Sequence, residues 1–316
     1  MLDLFLHHAS LATPLFLLVL IGYALIRFGK WPGETGEILS RFVFNVAMPA
    51  LLFHLMSKFA DLPPVDARLL IAYFGGCAVT FVIARFVAWK FFRLDGIGQS
   101  VFALGGIFSN NVLLGIPLAK LTLGEESLPA AALVIAFNAL TLWTMITISV
   151  EWARHGSFSL KGIVQTTKSV LANPLVFSIV LGVIFSYFSR YTGLKLPYLI
   201  EEPLSLLSSA TMPLALIALG MGLAEYGIKQ GWQTSAAITT IKLIVQPLTV
   251  WAIAAAIGLP RLELRTVVLL ASISIGINVY LMSRHFRAIE GPVASALVLT
   301  TLAASITVPA MLAFTE

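Results

Sequence analysis

Long apolar stretches follow one another along almost the whole chain of 316 residues. Each is about 20 residues long, which is the length that a helix needs to cross the hydrocarbon core of a bilayer. Hydrophobic residues make up 59% of the sequence and charged residues 11%, against roughly 25% charged residues in a soluble domain. Such a chain cannot cover its own surface in water, so the sequence predicts an integral membrane protein.

The apolar stretches are continuous and do not alternate with polar residues, which predicts spanning helices and not a β-barrel. The first stretch has no preceding cationic segment and no small-residue cleavage site before Trp31, so we interpret it as a retained helix and not as a signal peptide. Ten spans are predicted: Leu11–Phe28, Ile38–Met56, Leu69–Phe91, Ile97–Leu121, Leu128–Glu151, Asn173–Phe188, Pro203–Ala224, Ser235–Leu259, Leu264–Met282 and Pro292–Phe314.

Two segments of the first half return in the second. Thr13–Gly22 reads TPLFLLVLIG and Asn173–Gly182 reads NPLVFSIVLG, with the proline and the glycine of the two copies 160 positions apart. Ala47–Pro49 returns as Thr211–Pro213. Because each half holds an odd number of spans, the second half must enter the bilayer from the opposite side. The sequence thus predicts an all-α membrane protein of ten helices in two inverted five-helix repeats, a pattern typical of secondary transporters.

The repeats cover residues 1–152 and 173–316, and a basic linker of residues 153–172 joins them. Lys and Arg at the span ends favour the membrane face of that linker by ten to seven, and four tryptophans lie near the same face. Because cytoplasmic loops carry the excess of Lys and Arg, we expect a cytoplasmic linker and both termini on the non-cytoplasmic side. The net charge of +5, spread over span ends, indicates lipid headgroups as partners and not nucleic acid.

All fifteen Asp and Glu residues lie in predicted loops or at span ends. Proton and sodium antiporters usually carry a carboxylate near the midplane, because a cation needs an anionic or titratable ligand. This absence argues against a cation as the main cargo, although carbonyl and amide oxygens could still hold sodium. The sequence also has no phosphate-binding loop, no His-Glu-x-x-His motif and no Cys cluster, so we expect no enzyme, no cofactor and no metal site.

Two cations attract attention inside predicted spans. Lys242 is deep in span eight, where a Lys costs roughly 2.5–3.5 kcal/mol on insertion scales. With no acid at that depth, it could attract an anionic ligand, or it could snorkel or fix a helix break near Pro247. Arg41 is closer to the end of span two, which favours snorkelling.

Span four holds the densest polar signal, Ser109-Asn110-Asn111 followed by Gly115 and Pro117. Proline removes a backbone donor and clashes with the preceding turn, and Asn competes for backbone hydrogen bonds. The pattern predicts a broken helix at Gly115 and Pro117, with freed N–H groups that attract an anion. The alternative is a kinked helix whose Asn side chains bond to neighbouring helices.

Span nine is the counterpart of span four in the second repeat and carries Gly276 and Asn278 at a similar depth. Interruptions in corresponding spans of both halves indicate the substrate site of a transporter. Asn45, in span two, could line the same site or bond across a helix interface.

These segments resemble the auxin efflux carrier family, which includes plant PIN-type carriers and bacterial malonate and dicarboxylate permeases. The resemblance rests on Asn110-Asn111 with Gly115–Leu118, on Asn173-Pro174, on Gly220–Gly222 and on Ile241–Pro247. It implies a ten-helix carrier in which spans four and nine cross beside the substrate, spans one, two, six and seven form a scaffold, and two copies form a homodimer. The short linker favours a bacterial-type permease of the cytoplasmic (inner) membrane.

Carried over by residue, the resemblance assigns Asn110, Asn111 and Pro117 to the first crossing helix, and Gly276 and Asn278 to the second. It also assigns Asn173 to the start of span six. Plant members have prolines in the second break, where this chain has Ser274 and Val279.

The sequence therefore predicts a secondary transporter of a small organic anion, a mono- or dicarboxylate, working by alternating access. The candidate site residues are Ser109, Asn110, Asn111, Gly276, Asn278, Asn45, Lys242 and Asn173. Coupling to H⁺ or Na⁺ stays open. The alternatives are a cation-coupled antiporter or channel of the same architecture, an intramembrane enzyme, and a sensor that binds ligand without moving it.

Overall fold

A computed structural model describes residues 2–61, 65–155, 174–225 and 231–316 of the chain. Within these ranges the protein is helical, and eight helices are long and apolar enough to cross a membrane. The helices are α1 (Leu2–Arg27), α2 (Glu34–Met56), α3 (Arg68–Phe92), α4 (Gly96–Ile107), α5 (Asn111–Leu123), α6 (Leu128–His155), α7 (Pro174–Thr192), α8 (Tyr198–Glu225), α9 (Trp232–Ala256), α10 (Arg261–Ser272), α11 (Ile277–Phe286) and α12 (Glu290–Phe314). The all-α, multi-pass class is confirmed.

Eight of the predicted spans match single long helices, whereas spans four and nine are each divided in two. Span four is the pair α4 and α5, and span nine is the pair α10 and α11. Each member of these pairs is too short to cross a bilayer by itself. The chain therefore has two interrupted apolar segments, one in each half of the sequence.

The helices pack in two groups. In the first, α1 lies along α8 and α7 lies along α2, and α8 also contacts α2. In the second, α3 packs against α9, and α4 and α10 lie beside them. Helix α6 contacts α4 and α10, and α12 contacts α9 and α10. The two groups touch mainly where α1 meets α12 and α5.

The glycines of the repeated segment allow the close packing of the first group. A Cβ atom on Gly22 would lie 2.1 Å from the carbonyl oxygen of Ile217 in α8. A Cβ atom on Gly182 would lie 2.9 Å from the carbonyl oxygen of Phe53 in α2. Small residues of this kind let membrane helices approach each other closely. The two copies of the motif thus each allow close helix packing, Gly22 of α1 against α8 and Gly182 of α7 against α2.

Three prolines inside helices follow a wider, π-helical turn. These turns are Val43–Ala47 in α2, Asn111–Gly115 in α5 and Ile241–Val245 in α9. Each ends two residues before a proline, namely Pro49, Pro117 and Pro247. Proline has no N–H to donate and its ring clashes with the carbonyl one turn earlier, so the turn widens by one residue and the helix continues.

Candidate functional site

The two interrupted segments cross at their breaks. Residues 108–110 join α4 to α5, and residues 273–276 join α10 to α11. The backbone N–H of Asn110 donates to the carbonyl oxygen of Ser274 at 2.9 Å, and that of Gly276 donates to the carbonyl oxygen of Phe108 at 2.9 Å. These bonds form a short antiparallel bridge that holds the two breaks together.

The first break lies before the proline of span four. We predicted a break at Gly115 and Pro117, but both residues lie inside the continuous helix α5. The helix begins at Asn111 instead, because the Asn110 side-chain oxygen accepts a hydrogen bond from the N–H of Leu113 at 3.4 Å and caps it. Pro117 widens the first turns of the helix and does not interrupt it.

The second break depends on a glycine. Gly276 directly precedes α11 and has no side chain with which to cap it. A Cβ atom there would lie 3.0 Å from the ring of Phe108 and 3.2 Å from the carbonyl oxygen of Ser109. Glycine is therefore what allows the second segment to approach the first so closely.

Four helix ends meet around this crossing. The N-termini of α5 and α11 lie on it, and the C-termini of α4 and α10 lead into it. Helix N-termini carry free N–H groups and a partial positive charge, and C-termini carry free carbonyls and a partial negative charge. The crossing therefore offers opposite electrostatic environments within a few residues of chain.

Lys242 of α9 lies at the carbonyl ends of the crossing. Its ammonium group donates to the Ser109 hydroxyl at 2.9 Å, to the Gln246 side-chain oxygen at 2.6 Å and to the Ala271 carbonyl at 2.6 Å. The side chain is fully buried, so it does not snorkel. All three of its acceptors are neutral oxygens, so the positive charge at the crossing is not neutralised by an acid among them.

Gln246, one turn further along α9, binds the C-terminal end of α4. Its side-chain NH₂ donates to the carbonyl oxygen of Ile107, the last residue of α4, at 2.8 Å. Lys242 and Gln246 together satisfy carbonyls at the ends of both α4 and α10. One continuous helix thus holds both C-terminal ends in place.

A second chain of hydrogen bonds leads from Ser109 to the start of α5. The Tyr73 hydroxyl of α3 donates to the Ser109 hydroxyl at 3.3 Å, and the Asn111 side-chain NH₂ donates to the Tyr73 oxygen at 3.0 Å. On the other strand of the bridge, the N–H of Ile275 donates to the Thr300 hydroxyl of α12 at 3.2 Å.

Three buried polar atoms at the crossing have no hydrogen-bond partner among the described residues. They are the side-chain nitrogen of Asn110, the side-chain oxygen of Asn111 and the hydroxyl oxygen of Ser274. Asn110 is 6% exposed and Asn111 2% exposed, so bulk water does not reach them freely. Buried polar groups in proteins are almost always paired, which makes these atoms candidates for contact with a ligand.

The other predicted site residues are distributed unevenly. Asn278 lies in the first turn of α11 and is half-buried. Asn45 is exposed on α2, and its NH₂ donates to the Arg41 carbonyl of the same helix at 2.9 Å, so the structure does not bring it to the crossing. Arg41 is also exposed and pairs with Glu37 at 2.6 Å. Asn173 lies outside the described residues.

Several polar residues of the core were not among the predicted site residues. Tyr73, Gln246 and Ser274 belong to the crossing, although none of them stands out in its apolar surroundings. Arg85 of α3 is a further intramembrane cation; its guanidinium donates to the hydroxyls of Ser100 and Ser149. A count of charged residues inside every predicted span would have found Arg85, because Leu69–Phe91 includes it.

Metal ligands do not cluster in the described part of the chain. No group of three or more His, Cys, Asp or Glu residues there is arranged to hold a metal ion. The chemistry of the crossing is that of amides, hydroxyls, helix ends and one ammonium group, which suits recognition of a small polar ligand.

Comparison with known proteins places this chain among transporters. A profile of the family described as membrane transport protein matches residues 10–312. The chain is 27% identical over 308 residues to a Rhizobium meliloti protein named "Putative malonate transporter", covering 96% of this chain and 94% of that protein. It is 29% identical over 257 residues to an uncharacterised transporter of Methanocaldococcus jannaschii, covering 78% and 79% of the two chains.

A plant relative supports the family resemblance of the sequence motifs. The chain is 19% identical over 334 aligned residues to auxin efflux carrier component 8 of Arabidopsis thaliana, covering 90% of this chain and 91% of that protein. These relatives are named transporters and not enzymes. Because the family profile matches nearly the whole length, the chain belongs to the membrane transport protein family, the auxin efflux carrier family that its motifs resemble.

Proposed function

We propose that the protein is a secondary transporter of a small organic anion, a mono- or dicarboxylate, bound at the crossing of the two broken helices. The observation that carries this proposal is the set of buried, unpartnered polar atoms of Asn110, Asn111 and Ser274 at the crossing. A carboxylate can accept hydrogen bonds from the Asn110 NH₂ and from first-turn N–H groups of α5 and α11. Asn278, in the first turn of α11, completes this set.

The charge of Lys242 supports an anionic cargo without direct contact. Its ammonium is bonded to three protein oxygens, and one of them belongs to Ser109 beside the Asn pair. A positive charge in a medium of low dielectric constant acts on an anion over a longer distance than it would in water. We therefore assign Lys242 the role of a fixed counter-charge behind the site.

The same position bears on ion coupling. Carbonyl ends of broken helices commonly hold a transported cation, and here the Lys242 ammonium bonds to the Ala271 carbonyl at the end of α10. The protein then carries its own cation at that place. We propose transport that does not require sodium, with coupling to protons left to experiment.

The architecture that we propose has ten spans in two inverted five-helix repeats, eight of them continuous and two broken. The paired packing of α1 on α8 and of α7 on α2 supports the inverted arrangement. The group of α1, α2, α7 and α8 would form a scaffold, within a homodimer, against which the crossing helices move. We place the protein in the bacterial cytoplasmic (inner) membrane, with both termini on the non-cytoplasmic side.

The proposal can be tested by uptake of radiolabelled malonate into proteoliposomes containing the purified protein. We expect uptake that saturates with malonate concentration, proceeds without sodium, and falls at least about tenfold in Asn111→Ala, since a buried polar partner is lost. Asn45→Ala, the same change on the exposed face of α2, should transport like the wild type. Non-saturating flux would favour a channel, and uptake untouched by Asn111→Ala would rule out this site.

A further inference from the structure

The two adjacent asparagines at the crossing leave opposite hydrogen-bonding atoms without a partner in the part of the protein that the structure describes. Asn110 leaves its side-chain nitrogen without a partner, and Asn111 leaves its side-chain oxygen without one. We infer that the substrate carries a hydrogen-bond donor next to its carboxylate, as a hydroxy acid or a singly protonated dicarboxylic acid does. This inference rests on the proposed function and narrows its substrate class.

The orientation of the Asn110 amide is fixed by the helix that it caps. Its oxygen accepts a hydrogen bond from the N–H of Leu113, and a backbone N–H can only donate. The NH₂ group must then occupy the other position of the amide, at the first turn of α5. Asn110 therefore offers a donor to a ligand, in line with the N–H groups of the helix end around it.

The orientation of the Asn111 amide follows from its contact with Tyr73, whose hydroxyl accepts from the Asn111 NH₂. The Lys242 ammonium can only donate, and it directs one N–H to the Ser109 hydroxyl oxygen. The Tyr73 hydroxyl also donates to that oxygen, which leaves the Tyr73 oxygen to accept from the Asn111 NH₂. Asn111 is then left with its carbonyl oxygen free, and this oxygen can only accept.

A ligand must match both groups to satisfy them. A plain carboxylate pairs with the Asn110 nitrogen but leaves the Asn111 oxygen without a partner, and an unpaired buried acceptor costs free energy. A fully ionised dicarboxylate would bring a second negative charge to that oxygen. A hydroxyl or a protonated carboxyl beside the bound carboxylate donates to it instead. The Ser274 hydroxyl also has no partner among the described residues. It can bond to a donor or to an acceptor of the ligand, because a hydroxyl both donates and accepts.

The test compares ligands that differ by one hydroxyl group and share the same charge. Binding of glycolate against acetate, and of lactate against propionate, is measured by titrated thermal shift of the purified protein at pH 7. We expect each hydroxy acid to bind roughly threefold to tenfold more tightly than its partner, which is the worth of one additional hydrogen bond.

Two variants identify the residue responsible. Asn111→Leu should lose the preference for lactate over propionate, whatever its overall affinity for the two ligands, whereas Asn45→Leu should keep that preference. Tyr73→Phe serves where Asn111→Leu fails to fold, because it frees the Asn111 amide to turn its NH₂ to the ligand and should also erase the preference.

The outcomes separate this inference from the proposed function. Equal binding within each pair, or a preference that survives in Asn111→Leu and in Tyr73→Phe, would overturn the inference and leave the carboxylate site standing. Failure of every carboxylate to bind would instead overturn the proposed function, and the inference with it.

Discussion

The two breaks at the crossing share a backbone arrangement and differ in their side chains. Each gives one N–H and accepts one through a carbonyl across the short bridge. The first break adds Ser109, Asn110 and Asn111, which cap a helix, join a hydrogen-bond chain and leave two polar atoms free. The second offers chiefly backbone groups, since Gly276 has no side chain. The two breaks thus share the backbone frame, and the side chains of the first supply most of the candidate recognition chemistry.

The two breaks are also held by hydrogen bonds from different helices. The first is held by α3 through Tyr73 and by α9 through Gln246, and the second by α12 through Thr300. Lys242 contacts both, through Ser109 and the Ala271 carbonyl. Hydrogen bonds to a charged group contribute about 1.5–3 kcal/mol each, so two of them offset the roughly 2.5–3.5 kcal/mol insertion cost of a central Lys. Burial of Lys242 is therefore sustainable without a carboxylate partner.

The largest effect should come from removing the residue that joins the two breaks. Lys242→Met has a similar length but no donors, so it leaves the Ser109, Gln246 and Ala271 oxygens unsatisfied. We expect the free energy of unfolding in detergent to fall by about 2–5 kcal/mol. Lys120→Met, at a partly exposed Lys that pairs with Glu125 at 2.9 Å, should change it little. Unchanged stability in Lys242→Met would mean that the ammonium does not hold the crossing.

A smaller effect should distinguish the glycines of the two broken spans. In Gly276→Ala the new methyl meets the Phe108 ring at 3.0 Å and the Ser109 carbonyl at 3.2 Å, whereas in Gly115→Ala it meets chiefly the ends of the Leu270 and Ile273 side chains. Flexible side-chain ends can shift and a paired backbone cannot. We expect thermal unfolding to show a loss of about 1–3 kcal/mol for Gly276→Ala and less for Gly115→Ala.

The hydrogen bond from the second break to α12 should contribute still less to the free energy of unfolding. Thr300→Val keeps the shape of the side chain but removes the acceptor for the Ile275 N–H, at a cost of about 1 kcal/mol. Thr301→Val is the matched control, because the Thr301 hydroxyl bonds only within its own helix, to Leu297. Equal melting temperatures for the two variants would show that Thr300 does not stabilise the second break.

The smallest effect concerns the outer end of α10, where Arg265 and His8 lie beside Glu316. The hydrogen bond with His8 lowers the pKa of the Glu316 carboxyl below its ordinary value of 4.5, and Arg265 acts in the same direction. A lowered folded-state pKa stabilises the protein above the unfolded value and loses that stabilisation as pH falls through the folded one.

Glu316→Gln should therefore lower the melting temperature slightly at neutral pH, where the ionised carboxylate stabilises the wild type, and flatten its fall below about pH 4.5. Glu290→Gln, at the opposite end of α12, should keep the wild-type profile. Superimposable profiles for Glu316→Gln and the wild type would contradict a stabilising role of this cluster.

The sequence was sufficient to predict the class of the molecule and the location of its two irregular spans. Long apolar stretches predict helices, and paired Asn and Gly in spans four and nine predict irregular backbone there. The exact break in span four was not predictable from proline alone, because Pro117 is absorbed by a wider turn while Asn110 caps the helix. Neither proline nor glycine signals reveal which side chain caps a helix end.

Partners from distant parts of the chain account for the residues that were missed. Tyr73 matters because it meets Ser109 and Asn111, and Gln246 because it meets Ile107. No local pattern encodes these contacts, since they depend on how α3 and α9 pack. Asn45 was a candidate site residue because it precedes a proline in span two. In the structure its side chain is exposed, and its amide donates to a carbonyl of its own helix.

The most direct test of the account is the thermal response of the protein to a panel of small carboxylates, with and without the Asn110→Leu substitution. The panel comprises acetate, propionate, glycolate, lactate and malonate, and Asn45→Leu is the control. If the carboxylate binds at the crossing, at least one of these anions raises the melting temperature of the wild type and of Asn45→Leu, and the shift is lost in Asn110→Leu. An undiminished shift in a folded Asn110→Leu protein, or no shift in the wild type, would contradict the central claim.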